Sequence, residues 1–162
     1  MKKLIFAAVS ILFVFSIVYP GDFNYVGVKK CRMCHKGEKK GNVYEKWLEK
    51  AHSKAFEAVK EKGEEKNPTC LGCHTKAFNK GGYKIDDSSA SNFEGVQCES
   101  CHGPGSVYKK TKYMKDRELA LKNGLVNITE KTCTRCHDGS EHTGKFNYKE
   151  ALKKIDHTYS KK

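Results

Sequence analysis

Every cysteine in the chain belongs to a C-x-x-C-H pentapeptide. The four are Cys31-Arg32-Met33-Cys34-His35, Cys70-Leu71-Gly72-Cys73-His74, Cys98-Glu99-Ser100-Cys101-His102 and Cys133-Thr134-Arg135-Cys136-His137. Two thiols separated by two residues can each form a thioether with a vinyl group on one edge of a porphyrin. A histidine directly after the second thiol then lies where its imidazole can bind the iron. Other uses of cysteine fit less well. Disulfides suit a secreted chain but have no use for a histidine after every second cysteine. Four histidine-tagged pairs exceed what one or two tetrahedral zinc sites need, and a redox C-x-x-C normally comes singly. The spacing therefore predicts four covalently bound haem c groups, each with its iron. Cys31, Cys34, Cys70, Cys73, Cys98, Cys101, Cys133 and Cys136 are the attachment points, and His35, His74, His102 and His137 the proximal ligands.

Seven histidines are present, so three remain for the opposite axial positions: His52, His142 and His157. Four irons need four distal ligands to be six-coordinate, and one iron cannot receive a histidine from within its own chain. That position can be open or water-bound, filled by Met114, or filled by a histidine of a neighbouring subunit. Met33 lies inside an attachment loop and is poorly placed for it. His52 is the strongest distal candidate because it shares an apolar helix face, where an unligated imidazole would need other partners. His157 follows the last helix. His142 is five residues after His137 in a polar turn, where surface exposure competes with ligation.

Haem also explains the composition. Lys2 and Lys3 precede an uncharged run from Leu4 to Gly21, a basic segment followed by an apolar one. Residues 1–21 thus read as an export signal or an N-terminal anchor, and 22–162 as a single tetrahaem domain. Of the 141 positions after the leader, only 38 are hydrophobic once the cysteines are set aside, few for a self-sufficient core. Four flat apolar rings would fill the deficit. The net charge of +12 includes two leader lysines. Eight propionates would bring the mature protein to about +6 with ferric irons and about +2 with ferrous ones. Lysines spread singly and in pairs read as a solvated surface, and no nucleic-acid partner is expected.

The first cysteines of successive motifs are 39, 28 and 35 residues apart, which leaves little protein between rings. A helix is predicted from Val43 to about Lys62, capped by Asn42 with Glu45 completing a capping box, and stopped by Gly63. Tyr44, Trp47, Leu48, Ala51, His52, Ala55, Phe56 and Val59 share one face. A second helix is predicted from Ser106 to Lys122, ending near Gly124, and a third from about Asn147 to Ile155. Lys62 to Asn67 reads as a charged turn, and strand signals are weak. The fold class is mainly α: a multihaem cytochrome c whose short helices and irregular loops wrap four closely packed covalent haems.

The flanks carry more information than the bare motifs. "WLEKAHSKAF", "CLGCHTKAFNKGGY", "FEGVQCESCHGPGSVY" and "CTRCHDGSEHTGKFNYKEALKKIDH" resemble the tetrahaem cytochrome c-554 family over nearly the whole mature chain. The resemblance implies a mostly helical electron carrier with haems stacked in close pairs, three bis-histidine irons and one iron without a strong distal ligand. His52 matches the family's helix histidine and His157 its C-terminal one. The third distal histidine in that family often follows the third haem motif, where this chain has Tyr108 and no histidine before His137. His142 stands in by default. Some filament-forming cytochromes look similar, and in these a subunit can supply a ligand to its neighbour.

The expected function is electron transfer between redox protein partners, with no catalytic residues beyond the haems. Two alternatives are a haem enzyme reducing a small nitrogen or oxygen species at an open iron, and a subunit of an extracellular filament. Haem attachment of this kind follows export, so a periplasmic or cell-surface location is expected. Membrane anchoring by the leader and oligomer formation both stay open.

Overall fold

The structure, a computed structural model, describes residues 23–140 and 142–157; the leader predicted over 1–21 lies outside them. Among the described residues there are nine short α-helices, three 3-10 turns and no strand beyond one isolated bridge, Thr75 to Glu94. The longest helices have eight residues. No described helix is long and apolar enough to cross a membrane.

Three of the four C-x-x-C-H motifs each sit on a short helix of their own. α1 (Val28–His35) holds the first motif. Further along lie α2 (Val43–Leu48) and α3 (Ala55–Lys60), joined by a 3-10 turn at Ala51–Lys54. α4 (Pro68–His74) holds the second motif and α5 (Cys98–His102) the third. In these three helices the motif histidine is the last helical residue. α6 (Thr111–Met114) and α7 (Arg117–Lys122) follow, then α8 (Glu130–Cys133), which reaches only the first cysteine of the fourth motif. There the amides of Cys136 and His137 both donate to the Cys133 carbonyl, so turns carry the motif on. α9 (Tyr148–Ile155) ends the described chain, with the Asn147 side chain accepting from the Glu150 amide.

Two predicted helices are broken, each for a visible reason. The first stops at Leu48 because the Ser53 hydroxyl donates to the carbonyls of Leu48 and Lys50, both at 2.8 Å, and Lys50 is extended. A side chain competing for backbone acceptors in this way favours a turn over a continued helix. Its start also differs from the expected capping box. Asn42 adopts a left-handed φ of 50° with no side-chain cap, and the Glu45 carboxylate accepts from the Gly37 amide instead. The stop does match, since Gly63 (φ 72°) donates to Lys60 where α3 ends. In the second predicted helix, residues 106–110 form turns, and the Asp116 carboxylate caps a new start by accepting from Leu119 at 3.0 Å. The span from Asn147 to Ile155 is helical as expected.

The side-chain core is small. Phe56, Val59, Leu71 and Tyr83 form one buried cluster, with Phe78 and Phe93 packed against it. Polar ties do much of the remaining positioning. Glu99, 1% exposed, accepts from the amides of Val26, Gly27 and Gly105. The N-terminal segment, the third motif and the loop after it are thereby tied to one carboxylate. Gln97 accepts from Val28 and donates to the carbonyls of Asn92 and Glu94.

Candidate haem and iron sites

The three non-motif histidines each face a different motif histidine. His52 lies opposite His137 with ring centres 6.0 Å apart, His142 opposite His74 at 6.0 Å, and His157 opposite His102 at 6.1 Å. The rings are inclined at 52°, 50° and 85° rather than stacked. Two metal–imidazole bonds of about 2 Å, plus about 1.1 Å from nitrogen to ring centre on either side, would separate the centres by roughly 6.2 Å. The spacing fits an iron between each pair. A separation near 6 Å is also ordinary for aromatic neighbours. What distinguishes these pairs is recurrence: three spare histidines, three different motif partners, one separation.

Backbone carbonyls orient two of the six rings. His74 Nδ1 is 2.6 Å from the Ala55 carbonyl, and His157 Nδ1 is 2.8 Å from the Ile155 carbonyl. A proton on Nδ1 donated to a carbonyl leaves the Nε2 lone pair for a metal. Burial holds His52, His102 and His35 below the usual histidine range, favouring the neutral, ligating form. Phe146 stacks on His137 at 5.0 Å and braces that ring.

The backbone that carries His52 is held from outside its own element. Its carbonyl accepts from the Val96 amide at 2.9 Å, while Trp47 Nε1 donates to the Val96 carbonyl at 3.0 Å. The neighbouring Gly95 amide donates to the His74 carbonyl at 3.1 Å. Residues 94–97 thus couple the His52 turn to the second motif.

None of the eight cysteines is fully buried, and none is paired in a disulfide. The Cys31 and Cys98 sulfurs lie against each other; that contact and burial push the Cys31 thiol up, while the same contact pulls Cys98 down against the opposing effect of burial. Burial, reinforced by a contact with Cys73, pushes Cys136 up to about 12. These contacts bring the first motif to the third and the second to the fourth. The first and third also share a cavity of about 410 Å³, lined by His35, His102 and His157 together with Tyr44, Tyr108 and Met114. A second, more polar cavity of about 250 Å³ lies between Lys76, Lys131 and Arg135. Lys76 is 6% exposed with its ammonium 3.9 Å over the Tyr25 ring, and burial lowers it to about 8. Glu99 lines the same cavity.

His35 is the motif histidine left over, since the other six are taken up in the three pairs. Met114, 40% exposed, lines the same cavity as His35. The sequence did not point to Glu99, Gln97 or Trp47 as positioning residues. Glu99 is legible only as an acid inside an attachment loop, and nothing local indicates that three distant amides converge on it. Among the described residues no group of three or more histidine, cysteine or carboxylate side chains forms a bare metal site. The chain offers two thiols and one imidazole per motif, the donor set for a porphyrin-held iron.

The chain is similar to known proteins. Residues 30–103, which span the first three motifs, match the family described as cytochrome c554 and c-prime. Cytochrome c-554 of Nitrosomonas europaea is 32% identical over 143 residues, covering 72% of this chain and 58% of that protein. The chain therefore spans a little over half the length of this curated relative. The solved reduced state of cytochrome c554 from Nitrosomonas europaea superposes with a TM-score of 0.59 at 28% identity. That match covers 85% of this chain and 79% of the other.

Proposed function

Because this chain belongs to the tetrahaem cytochrome c-554 family, whose cofactors are four covalent c-type haems, we propose that it is an exported electron carrier. In this reading residues 22–162 act as one unit that passes single electrons between redox protein partners. Bound haem supplies an iron that cycles between ferric and ferrous states. The chain's own residues do the rest. Eight cysteines fix the rings, and His35, His74, His102 and His137 hold the proximal positions. His52, His142 and His157 hold the distal positions opposite His137, His74 and His102.

The recurring 6 Å histidine pairs carry this reading. Two imidazoles from distant parts of the chain would hold an iron with the same donors whether ferric or ferrous, which suits rapid electron exchange. Contacts of Cys31 with Cys98 and of Cys73 with Cys136 support two close pairs of rings. A potentiometric titration with electron paramagnetic resonance tests the assignment. Three low-spin irons and four haems per chain are expected. Fewer haems, or more than one high-spin iron, would contradict it.

A second reading, reduction of a small nitrogen or oxygen species, rests on His35, which has no histidine opposite it. Steady turnover of nitric oxide or nitrite by the purified, reduced protein would favour that reading over simple electron transfer. The leader of residues 1–21 supports a periplasmic or cell-surface location, and mass spectrometry of the mature N-terminus decides between a cleaved signal and an anchor.

A further inference from the structure

Cationic residues are unevenly distributed among the four attachment motifs. From two residues before the first cysteine to five after the histidine, the first motif carries six cations and one carboxylate, a net +5. The equivalent stretches around the second, third and fourth motifs carry net charges of +1, −1 and 0. The single cation of the second stretch, Lys76, is buried. In contrast Lys29, Lys30, Arg32, Lys36, Lys39 and Lys40 are all exposed.

These cations surround the most accessible attachment loop. α1 contributes no buried residue, Met33 is 70% exposed, and Cys34 is the one exposed cysteine of the eight. The Met33 side chain is thus uncovered at the centre of a collar of positive charge. A solvated helix face would explain the lysines alone. It would not explain why they gather at this one motif of the four, around an uncovered apolar side chain. An apolar contact point ringed by charge has the layout of a transient docking face.

We infer that the α1 face, from Lys29 to Lys40, is the docking surface for an acidic one-electron redox protein, which exchanges electrons with this chain through the first motif. The inference rests on the electron-carrier reading and names the partner's chemistry. In each encounter one electron leaves the donor, which is oxidised by one unit, and enters this protein, which is reduced by one unit. No bond breaks and no proton needs to move. Opposite charge around the two centres raises the encounter rate and orients the partners, and salt screens the effect.

Stopped-flow mixing of the mature, haem-loaded protein with reduced plant-type [2Fe–2S] ferredoxin, an acidic one-electron donor, tests this. The bimolecular rate is expected to fall on the order of tenfold from about 10 to 300 mM ionic strength. The triple variant Lys29→Glu, Lys36→Glu, Lys39→Glu is expected to lose about tenfold at low salt. None of these three lines the cavity that His35 shares. A variant with the same charge change near the second motif, Lys60→Glu, Lys62→Glu, Lys80→Glu, should stay within about twofold of native. Haem content and dithionite reduction check that each variant is loaded. If the triple variant assembles poorly, Lys36→Gln with Lys39→Gln and the salt dependence of the native protein give the same reading. Equal losses in both triple variants, or a native rate indifferent to salt, would overturn the docking face and leave the carrier reading standing. A native protein reduced by dithionite, but by neither ferredoxin nor basic mitochondrial cytochrome c at a bimolecular rate, would overturn the carrier reading itself.

Discussion

His52 and His137, 85 residues apart in sequence, face each other with ring centres 6.0 Å apart. The pairing joins the 3-10 turn after α2 to the fourth attachment motif, so it is set by tertiary structure alone. His52→Ala should convert the iron on His137 from low-spin to high-spin and raise its potential, since a strong donor favouring the ferric state is lost. Electron paramagnetic resonance would read one additional high-spin iron in four. A change at any other iron, or no change in spin state, would sink the assignment.

His142 and His157 predict the same outcome at different irons. His142→Ala should affect the iron on His74 and His157→Ala the iron on His102, each adding one high-spin signal. The three substitutions should add, because each pair uses its own histidines. His142 is solvent-exposed, so exogenous imidazole should reach the vacated position easily and restore the low-spin spectrum there.

Much of this site is legible in the sequence because covalent haem attachment is encoded locally. Two thiols and a histidine within five residues define where each ring goes, whatever the fold around them. The deficit of one distal histidine follows from counting alone. Which spare histidine faces which motif histidine is not local information: His142 reaches across to His74 and His157 to His102 through packing that no short window contains. Helix boundaries were legible at Asn147–Ile155 and at Gly63, where a cap or a left-handed glycine acts on its own neighbours. They were not legible at Leu48 and Asp116. There Ser53 and Asp116 divert backbone groups, and the interruptions match a surface built around rings rather than around a continuous apolar stripe.

Glu99 should prove a stability residue although it lies inside an attachment motif. It is 1% exposed and accepts three backbone amides, from Val26, Gly27 and Gly105. Glu99→Ala leaves those donors without their partner, at about 1–3 kcal/mol for each buried one. Glu99→Gln keeps the shape, loses the charge assistance and should cost less, about 1–2 kcal/mol. Chemical denaturation of the haem-loaded protein followed by the haem absorption band would rank native above Gln above Ala. Equal stability of all three would show that the carboxylate contributes nothing net.

Gly95 predicts an effect transmitted to His52. Its φ is +77°, and an added Cβ would lie 2.8 Å from the Ser53 carbonyl oxygen and 3.2 Å from that of His52. Gly95→Ala must therefore strain the backbone, by about 1–3 kcal/mol, and push on the turn that carries His52. The expected result is a lower melting temperature with a partial high-spin signal at the iron on His137. Gly37→Ala, whose Cβ would meet nothing within 4 Å, shares the positive φ without the clash. It should lower stability modestly and leave the spin states unchanged. If both variants behave alike, backbone strain alone is responsible and the coupling to His52 is absent.

The iron on His35 should differ from the other three in the native protein. All seven histidines lie within the described residues, and six are used in pairs, so this iron receives no second histidine from its own chain. One high-spin or weakly ligated iron in four is the expected resting spectrum, and the reduced protein should bind about one carbon monoxide per chain. Met114 shares the cavity and is the sulfur donor that could compete. Its ligation would produce a sulfur-to-iron absorption band that disappears in Met114→Ala, with carbon monoxide binding appearing only in the variant. A histidine supplied by a second copy would make the high-spin fraction grow on dilution. With an open iron, neither dilution nor Met114→Ala changes the spectrum, and one carbon monoxide binds throughout. A fully low-spin native protein, unchanged by either test, would mean that some other donor, such as a lysine amine, completes the coordination opposite His35.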